Sequence, residues 1–211
     1  MGKCLFMRKG DTHTAPGSRL PSGYTELAYI QSSGTQYIDT LFNVSSNKLR
    51  VLCDWEYTVS PTDDSIFGSQ NGSQFSLVFY AYSSTIAKLY VAQTPALNTY
   101  NVSTNTRYHL DASANAGTLE TILNGSKLKS SFTSPFVSNY GIYLFANNSA
   151  GSAIQKTNAK LYSCQIYDND VLVRDFVPCI KDDGEVGLYD LVGKQSYGNA
   201  GTGVFTGSEV E

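Results

Sequence analysis

Residues 48–59 read KLRVLCDWEYTV, and the alternation within them decides the fold. Leu49, Val51, Cys53, Trp55 and Tyr57 occupy every second position, with Arg50, Asp54 and Glu56 between them. Successive side chains of an extended chain point to opposite faces, so this stretch turns one face to a core and the other to water. A surface helix would need apolar residues three and four apart, and no window of the chain sustains that spacing.

Working outward, residues 73–82 (SQFSLVFYAY) set Phe75, Leu77 and Phe79 against Ser76, Val78 and Tyr80. Residues 86–93 (IAKLYVAQ) follow after a Tyr-Ser-Ser-Thr turn as the next antiparallel strand. In 106–113 (TRYHLDAS), Tyr108, Leu110 and Ala112 share a face. Residues 118–131 (TLETILNGSKLKSS) form a hairpin around Asn124-Gly125, the dipeptide that supplies the positive φ angles of a type I′ turn. Strands in 140–147, 158–170 and 171–179 complete the series, the last two joined by a tight turn at Asp168-Asn169-Asp170. The apolar phase predicts a core of Leu49, Val51, Phe75, Leu77, Phe79, Leu110, Ile122, Leu161 and Val173, and it places Trp55 there too. Residues 20–40 (LPSGYTELAYIQSSGTQYIDT) are expected to form a first strand pair bent at Ser33-Gly34. The Gly-rich close, 182–207, is expected to wrap the body with short strands at 186–190 and 195–197. Many short strands joined by short turns predict an all-β sandwich or barrel with helix below about a tenth of the residues.

Composition narrows the function classes. The chain has 211 residues, a length at which an all-β body forms one domain, and only 16% are charged. A net charge of −3 without a Lys/Arg cluster leaves no electrostatic footprint for a phosphate backbone, so nucleic acid is not an expected partner. The apolar run at the start, Cys4 to Met7, is too short for a signal-peptide core, and no stretch approaches a membrane span. The product is therefore expected to be soluble and cytosolic when made, and the Asn-X-Ser sequons reflect only an Asn- and Ser-rich surface. Cys4, Cys53, Cys164 and Cys179 lack the spacing of a zinc site or a disulfide framework and are read as single thiols. Residues 1–19 are aperiodic and are read as an arm and linker; residues 20–211 are the folded body.

Three blocks carry a resemblance: 20–40, the ANNSAGSA of 146–153, and 159–207, AKLYSCQIYDNDVLVRDFVPCIKDDGEVGLYDLVGKQSYGNAGTGVFTG. Together they resemble a family of phage and prophage tail-associated proteins of gut Firmicutes viruses, built on a concanavalin A-like, laminin-G-like jelly roll. The likeness runs from about residue 20 to 207 and is most specific in its C-terminal block. The opening, MGKCLFMRKGDTHTAP, is similar to a leader shared by otherwise unrelated phage tail-associated proteins. The resemblance implies two curved antiparallel sheets, a virion location after synthesis in the host bacterial cytoplasm, and docking to other virion proteins through the arm. It also implies a homo-oligomer, since tail proteins usually are. The fold hosts lectins, glycanases and structural modules, so function rests on particular residues.

Paired carboxylates of a glucanase would recur at i, i+2 and i+4 or i+5 on one strand, and Asp54 with Glu56 lacks the third member. The histidines, His13 and His109, have no nucleophile motif beside them, and the chain is read as not an enzyme. Laminin-G-like domains often hold calcium at the sandwich rim, and Asp63, Asp64 and Asn71 in one loop are the candidate ligands; no other cofactor is expected. Sugars lay apolar faces on aromatic rings while amides take their hydroxyls, which makes Tyr80 and Tyr82, supported by Asn147 and Asn148, the candidate ligand site. The expectation is a lectin-like virion component binding bacterial surface glycan. A ligand-free decoration protein and, more remotely, a glycan hydrolase remain as alternatives.

Overall fold

The computed structural model describes residues 19–92, 96–133 and 139–210, and among these there is no helix. The arm expected at 1–19 lies, apart from Arg19, outside the described residues, as do Cys4 and His13. The strands, in chain order, begin with β1 (Tyr24–Gln31), β2 (Ile38–Asn43), β3 (Lys48–Tyr57), β4 (Asp64–Asn71), β5 (Gln74–Ser83) and β6 (Ile86–Ala92). Next come β7 (Asn98–Asn101), β8 (Arg107–Asn115), β9 (Thr118–Leu123), β10 (Ser126–Ser131), β11 (Gly141–Leu144) and β12 (Asn147–Ser149). The series closes with β13 (Ser152–Ile154), β14 (Ala159–Asp168), β15 (Val171–Lys181), β16 (Val186–Asp190), β17 (Gln195–Tyr197) and β18 (Thr206–Glu209).

They form two sheets packed face to face, a jelly-roll sandwich. One runs β10-β9-β8-β3-β14-β1-β15-β16-β17 with β18 on β1; the other runs β13-β12-β4-β5-β6-β7 with β11 and β2 beside β4. All pairings between strands are antiparallel except the short β12–β4 contact. The central strand is the one with the cleanest alternation: in β3, Leu49, Val51, Cys53, Trp55 and Tyr57 are all buried. Trp55 crosses the interface between sheets, its ring 4.8 Å from Phe79 of β5 and 5.3 Å from Tyr108 of β8. Burying an aromatic of this size contributes roughly 1.5–3 kcal/mol, with a further increment from its ring contacts.

The turns form where local chemistry predicts. Asn124 and Gly125 both have positive φ, 46° and 83°, between β9 and β10. Asn169 and Asp170, at 50° and 63°, join β14 to β15 in the same way. The strands expected at 186–190 and 195–197 are β16 and β17.

Three expectations are corrected. First, residues 20–40 are not a strand pair, because β1 pairs with β14, β15 and β18 while β2 joins β11 in the other sheet. The Ser33-Gly34 bend is a crossover between layers. It is fixed to the chain's close: Gln36, 2% exposed, accepts from the Ser33 amide at 2.8 Å and donates to the Val204 carbonyl at 3.0 Å. Asn199 in turn accepts from the Tyr37 and Gly201 amides at 3.2 and 2.8 Å. Residues 33–37 and 199–204 thus meet in one structural knot.

Second, Ile122 is only half-buried and turned away from the core, whereas Val173, also half-buried, packs against the core as expected. In β9 the inward residues are Leu119, Thr121 and Leu123, because register with β8 sets them opposite Ala114, Ala112 and Leu110. Cross-strand partners share a face. Third, Phe75 is also half-buried, because register shifts in β5 reverse its phase and aim it outward. Leu49, Val51, Leu77, Phe79, Leu110 and Leu161 are buried as expected. Cys53, Cys164 and Cys179 are buried free thiols, and burial pushes the Cys179 thiol up to about 12.

Candidate functional site

The site is built on the outer face of the second sheet. There Tyr80 and Tyr82 of β5 stand beside Tyr90 of β6, and the out-turned Phe75 lies 5.0 Å from the Tyr90 ring. Gln70 of β4, Asn147 of β12, Ile154 of β13 and Gln155 complete a hollow of about 300 Å³ with Val78 as its floor. That volume is near the lower end of small-molecule sites, about 300–1,000 Å³. Gly68 sets the floor's height, since a Cβ there would come within 2.7 Å of the Val78 methyl. The bulge that upset the sequence phase of Phe75 thus supplies a fourth aromatic ring.

The rim is organised by amides. The Asn147 amide group donates to Gln70 Oε1 at 2.5 Å and to Gln155 Oε1 at 3.3 Å, while its own carbonyl oxygen is buried without a partner among the described residues. Gln155 donates to Asp63 Oδ1 at 3.1 Å, and the Tyr80 phenol donates to the same oxygen at 2.6 Å. Burial, with Asp63 as the second cause, holds the Tyr80 phenol well above the usual tyrosine range. Tyr82 is 57% exposed, and one face of its ring is covered by the Lys88 ammonium, 3.7 Å from the centroid.

The structure therefore brings together Tyr80 and Tyr82 at the hollow, with Asn147 beside them but buried, only 1% exposed. Asn148 is buried too, at 2% exposed, and it donates to the Gly141 carbonyl and accepts from the Gly151 amide, both at 2.8 Å. Both asparagines belong to β12.

The three candidate calcium ligands do not converge. Asp64 and Asn71 are the two ends of β4, an eight-residue strand, and at 3.3 Å per residue they stand about 23 Å apart. The residues present do not fit the ion, and no group of three acidic, histidine or cysteine side chains among the described residues is placed to hold a metal. Asp63 instead accepts from two residues that line the hollow, Tyr80 and Gln155, without lining it itself, a link the sequence had not offered. Asp64 is half-buried, and that burial raises its carboxyl to about 6.

The first sheet's outer face carries larger clefts, of about 570 and 530 Å³, but of different chemistry. Most of their charges are engaged in a cross-strand lattice: Arg107 and His109 on Asp54 at 3.0 and 2.6 Å, Arg50 on Asp111, Lys129 on Glu120. Glu56 is held by Lys160 at 2.9 Å and by the Tyr162 phenol at 3.2 Å. Ser163 is paired with Asp54 from the β14 side while His109 lies on the β8 side, so the carboxylate separates serine from imidazole. A nucleophilic triad needs the imidazole between the other two. The aromatic hollow is the better candidate, because it sets the rings of Phe75, Tyr80, Tyr82 and Tyr90 around one space.

No protein-family model and no curated protein matches the chain. Among solved structures it is similar to a Bacteroides ovatus protein provisionally assigned as carbohydrate-binding, with a TM-score of 0.64 and 12% identity. That match covers 88% of this chain and 61% of the other, so the chain spans less than two thirds of the Bacteroides protein. It is also similar to a heptameric SAP-like pentraxin from Limulus polyphemus, with a TM-score of 0.51 and 13% identity over 78% of this chain and 94% of that one. At these identities the likeness is one of fold: an all-β jelly-roll sandwich of two antiparallel sheets, the architecture that the resemblance of the sequence blocks implied.

Proposed function

We propose that the chain is a non-enzymatic, lectin-like component of a phage virion that binds carbohydrate on the host surface through the hollow of Tyr80, Tyr82, Tyr90 and Phe75. The observation that carries this reading is the combination of four aromatic rings with the half-buried amides of Gln70 and Gln155 on one sheet face. Rings supply area for the apolar side of a sugar, and amides and phenols fix its hydroxyls. The fold shared with a protein assigned to carbohydrate binding is compatible with that use. The virion role rests on the resemblance of the sequence blocks and of the leader. In this reading residues 1–19 dock to other virion proteins, and several copies act together in a homo-oligomer. One shallow hollow binds in the millimolar to micromolar range, about −4 to −8 kcal/mol, and linked copies raise avidity by about 10²–10⁴.

A purely structural decoration protein is the second reading. It is favoured by the engagement of Tyr80, Asn147 and Asn148 with neighbouring side chains and backbone. A glycan array and host-cell binding by the full chain separate the two. Binding that is lost in Tyr82→Ala supports the first, and no binding to any glycan or host surface supports the second. Sugar release from purified walls would overturn the non-enzymatic assignment.

A further inference from the structure

We infer that Cys53 and Cys164 are a redox pair, two core thiols held face to face on neighbouring strands that close into a cross-strand disulfide when the protein meets an oxidant. The inference does not rest on the sugar site. Cys53 of β3 stands directly opposite Cys164 of β14, and the register runs without a shift from there to Leu49 opposite Asp168. Beyond that end the Asn169 amide donates to the Lys48 carbonyl at 2.8 Å, so Lys48 and Asn169 are a hydrogen-bonded couple. Couples alternate along an antiparallel ladder. Five steps on, Cys53 and Cys164 are therefore a non-hydrogen-bonded couple, in which the Cα atoms approach to about 4.5 Å and the side chains come closest. A disulfide needs a Cα separation of about 4.4–6.8 Å, and this couple falls within that range. Both side chains point into the same core cluster, 2% and 0% exposed. The thiols already interact: burial, and after it the hydrogen bond to Cys164, push the Cys53 thiol well above its usual range.

Cys179 does not share this arrangement, since it packs in a separate cluster with Leu20, Val177 and Tyr189. The oxidant is a low-molecular-weight disulfide such as oxidised glutathione. One cysteine thiolate attacks it, a mixed disulfide forms and one glutathione leaves; the second cysteine then attacks the protein sulfur of that mixed disulfide, the Cys53–Cys164 bond forms and the second glutathione leaves. Two protein thiols are oxidised, one glutathione disulfide is reduced to two thiols, and the two protons pass to them. Buried, protonated thiols are inert, so the reaction waits for first folding or for an opening that exposes one sulfur. About 110 residues separate the two cysteines, and closing so long a loop restricts the unfolded chain strongly. A chain made in the reducing bacterial cytoplasm and carried outside would thus gain its lock after release.

The test equilibrates the full chain with oxidised and reduced glutathione in urea near the unfolding midpoint, so that the core opens and recloses, and then returns it to native buffer with the same glutathione. Free thiols are alkylated and the peptides mapped by mass spectrometry. The expected product has the Cys53 and Cys164 peptides joined and two hydrogens lighter, with Cys179 alkylated. Its melting temperature should exceed that of the reduced chain by about 5 °C or more, a rise that dithiothreitol reverses. Cys164→Ala should show no such rise between oxidising and reducing buffer; if that variant does not fold, the peptide map of the natural chain decides alone. Alkylation of both Cys53 and Cys164, or a link of either mainly to Cys4 or Cys179, would overturn the pair. A Cys53–Cys164 link that leaves the melting temperature unchanged or lower would overturn its role as a lock.

Discussion

The Tyr80 phenol donates to Asp63 Oδ1 at 2.6 Å, joining the start of β4 to the middle of β5 and fixing one wall of the aromatic hollow. Tyr80 is therefore part scaffold and part surface, and its substitutions should separate the two roles. Tyr80→Phe keeps the ring and loses the bond, which should cost about 0.5–1.5 kcal/mol or less at this partly exposed site. Tyr80→Ala also removes the packing against Tyr82 and Tyr90, so its melting temperature should fall below that of Tyr80→Phe. Thermal melts of both variants check the order; equal melting temperatures would show that the ring carries no packing.

Thr121 offers a test of the corrected phase in β9. Its hydroxyl accepts from the Asn98 amide at 2.9 Å and contacts the Tyr100 phenol, so it ties the two sheets together inside the core. Thr121→Val keeps the shape and leaves two buried polar groups short of a partner, at a cost of about 1–3 kcal/mol in urea unfolding. Ile122→Thr, one position on and facing outward, should cost much less. The reverse order would restore the sequence-based phase.

Asp64 should make stability depend on pH. Its folded-state carboxyl is raised by burial to about 6 from an ordinary value of 3.8. The folded protein therefore holds a proton that the unfolded chain releases between these values. Stability from this group is fully present below about pH 4 and is lost as pH rises through about 6. Asp64→Asn should remove that slope and stabilise the protein above pH 7, by about 1 kcal/mol or less given the group's partial exposure. Melts from pH 4 to 8 measure it, and an unchanged slope in the variant would assign the dependence to another group.

What the sequence made legible was local. The alternation of residues 48–59, the Asn124-Gly125 turn and the short strands at 186–190 and 195–197 follow from neighbours in the chain and stand as expected. Pairing was not legible where it is distant. Ser33-Gly34 bends the chain in a way equally suited to a hairpin and to a crossover, and only the ties of Gln36 and Asn199 to the chain's close decide between them. Polarity misled in β9, because Thr121 is buried with partners contributed by the other sheet. In the site, Tyr80 and Tyr82 could be found as outward neighbours on one strand. Tyr90, Gln70 and Gln155 join them through tertiary structure, and Phe75 joins through a bulge that no local pattern announced.

The central claim is that the hollow binds sugar, and Tyr82 tests it most directly because it is exposed and makes no hydrogen bond among the described residues. The measurement is binding of the full chain and of Tyr82→Ala to host-cell surfaces and to a glycan array, with melting temperatures taken on the same samples. Loss of a stacking ring should weaken binding by about 0.5–1.5 kcal/mol per site, roughly two- to tenfold, and by more on multivalent surfaces. The melting temperature should stay nearly unchanged, since exposed positions usually shift stability by no more than about 0.5 kcal/mol. Wild-type binding retained in Tyr82→Ala would contradict the account.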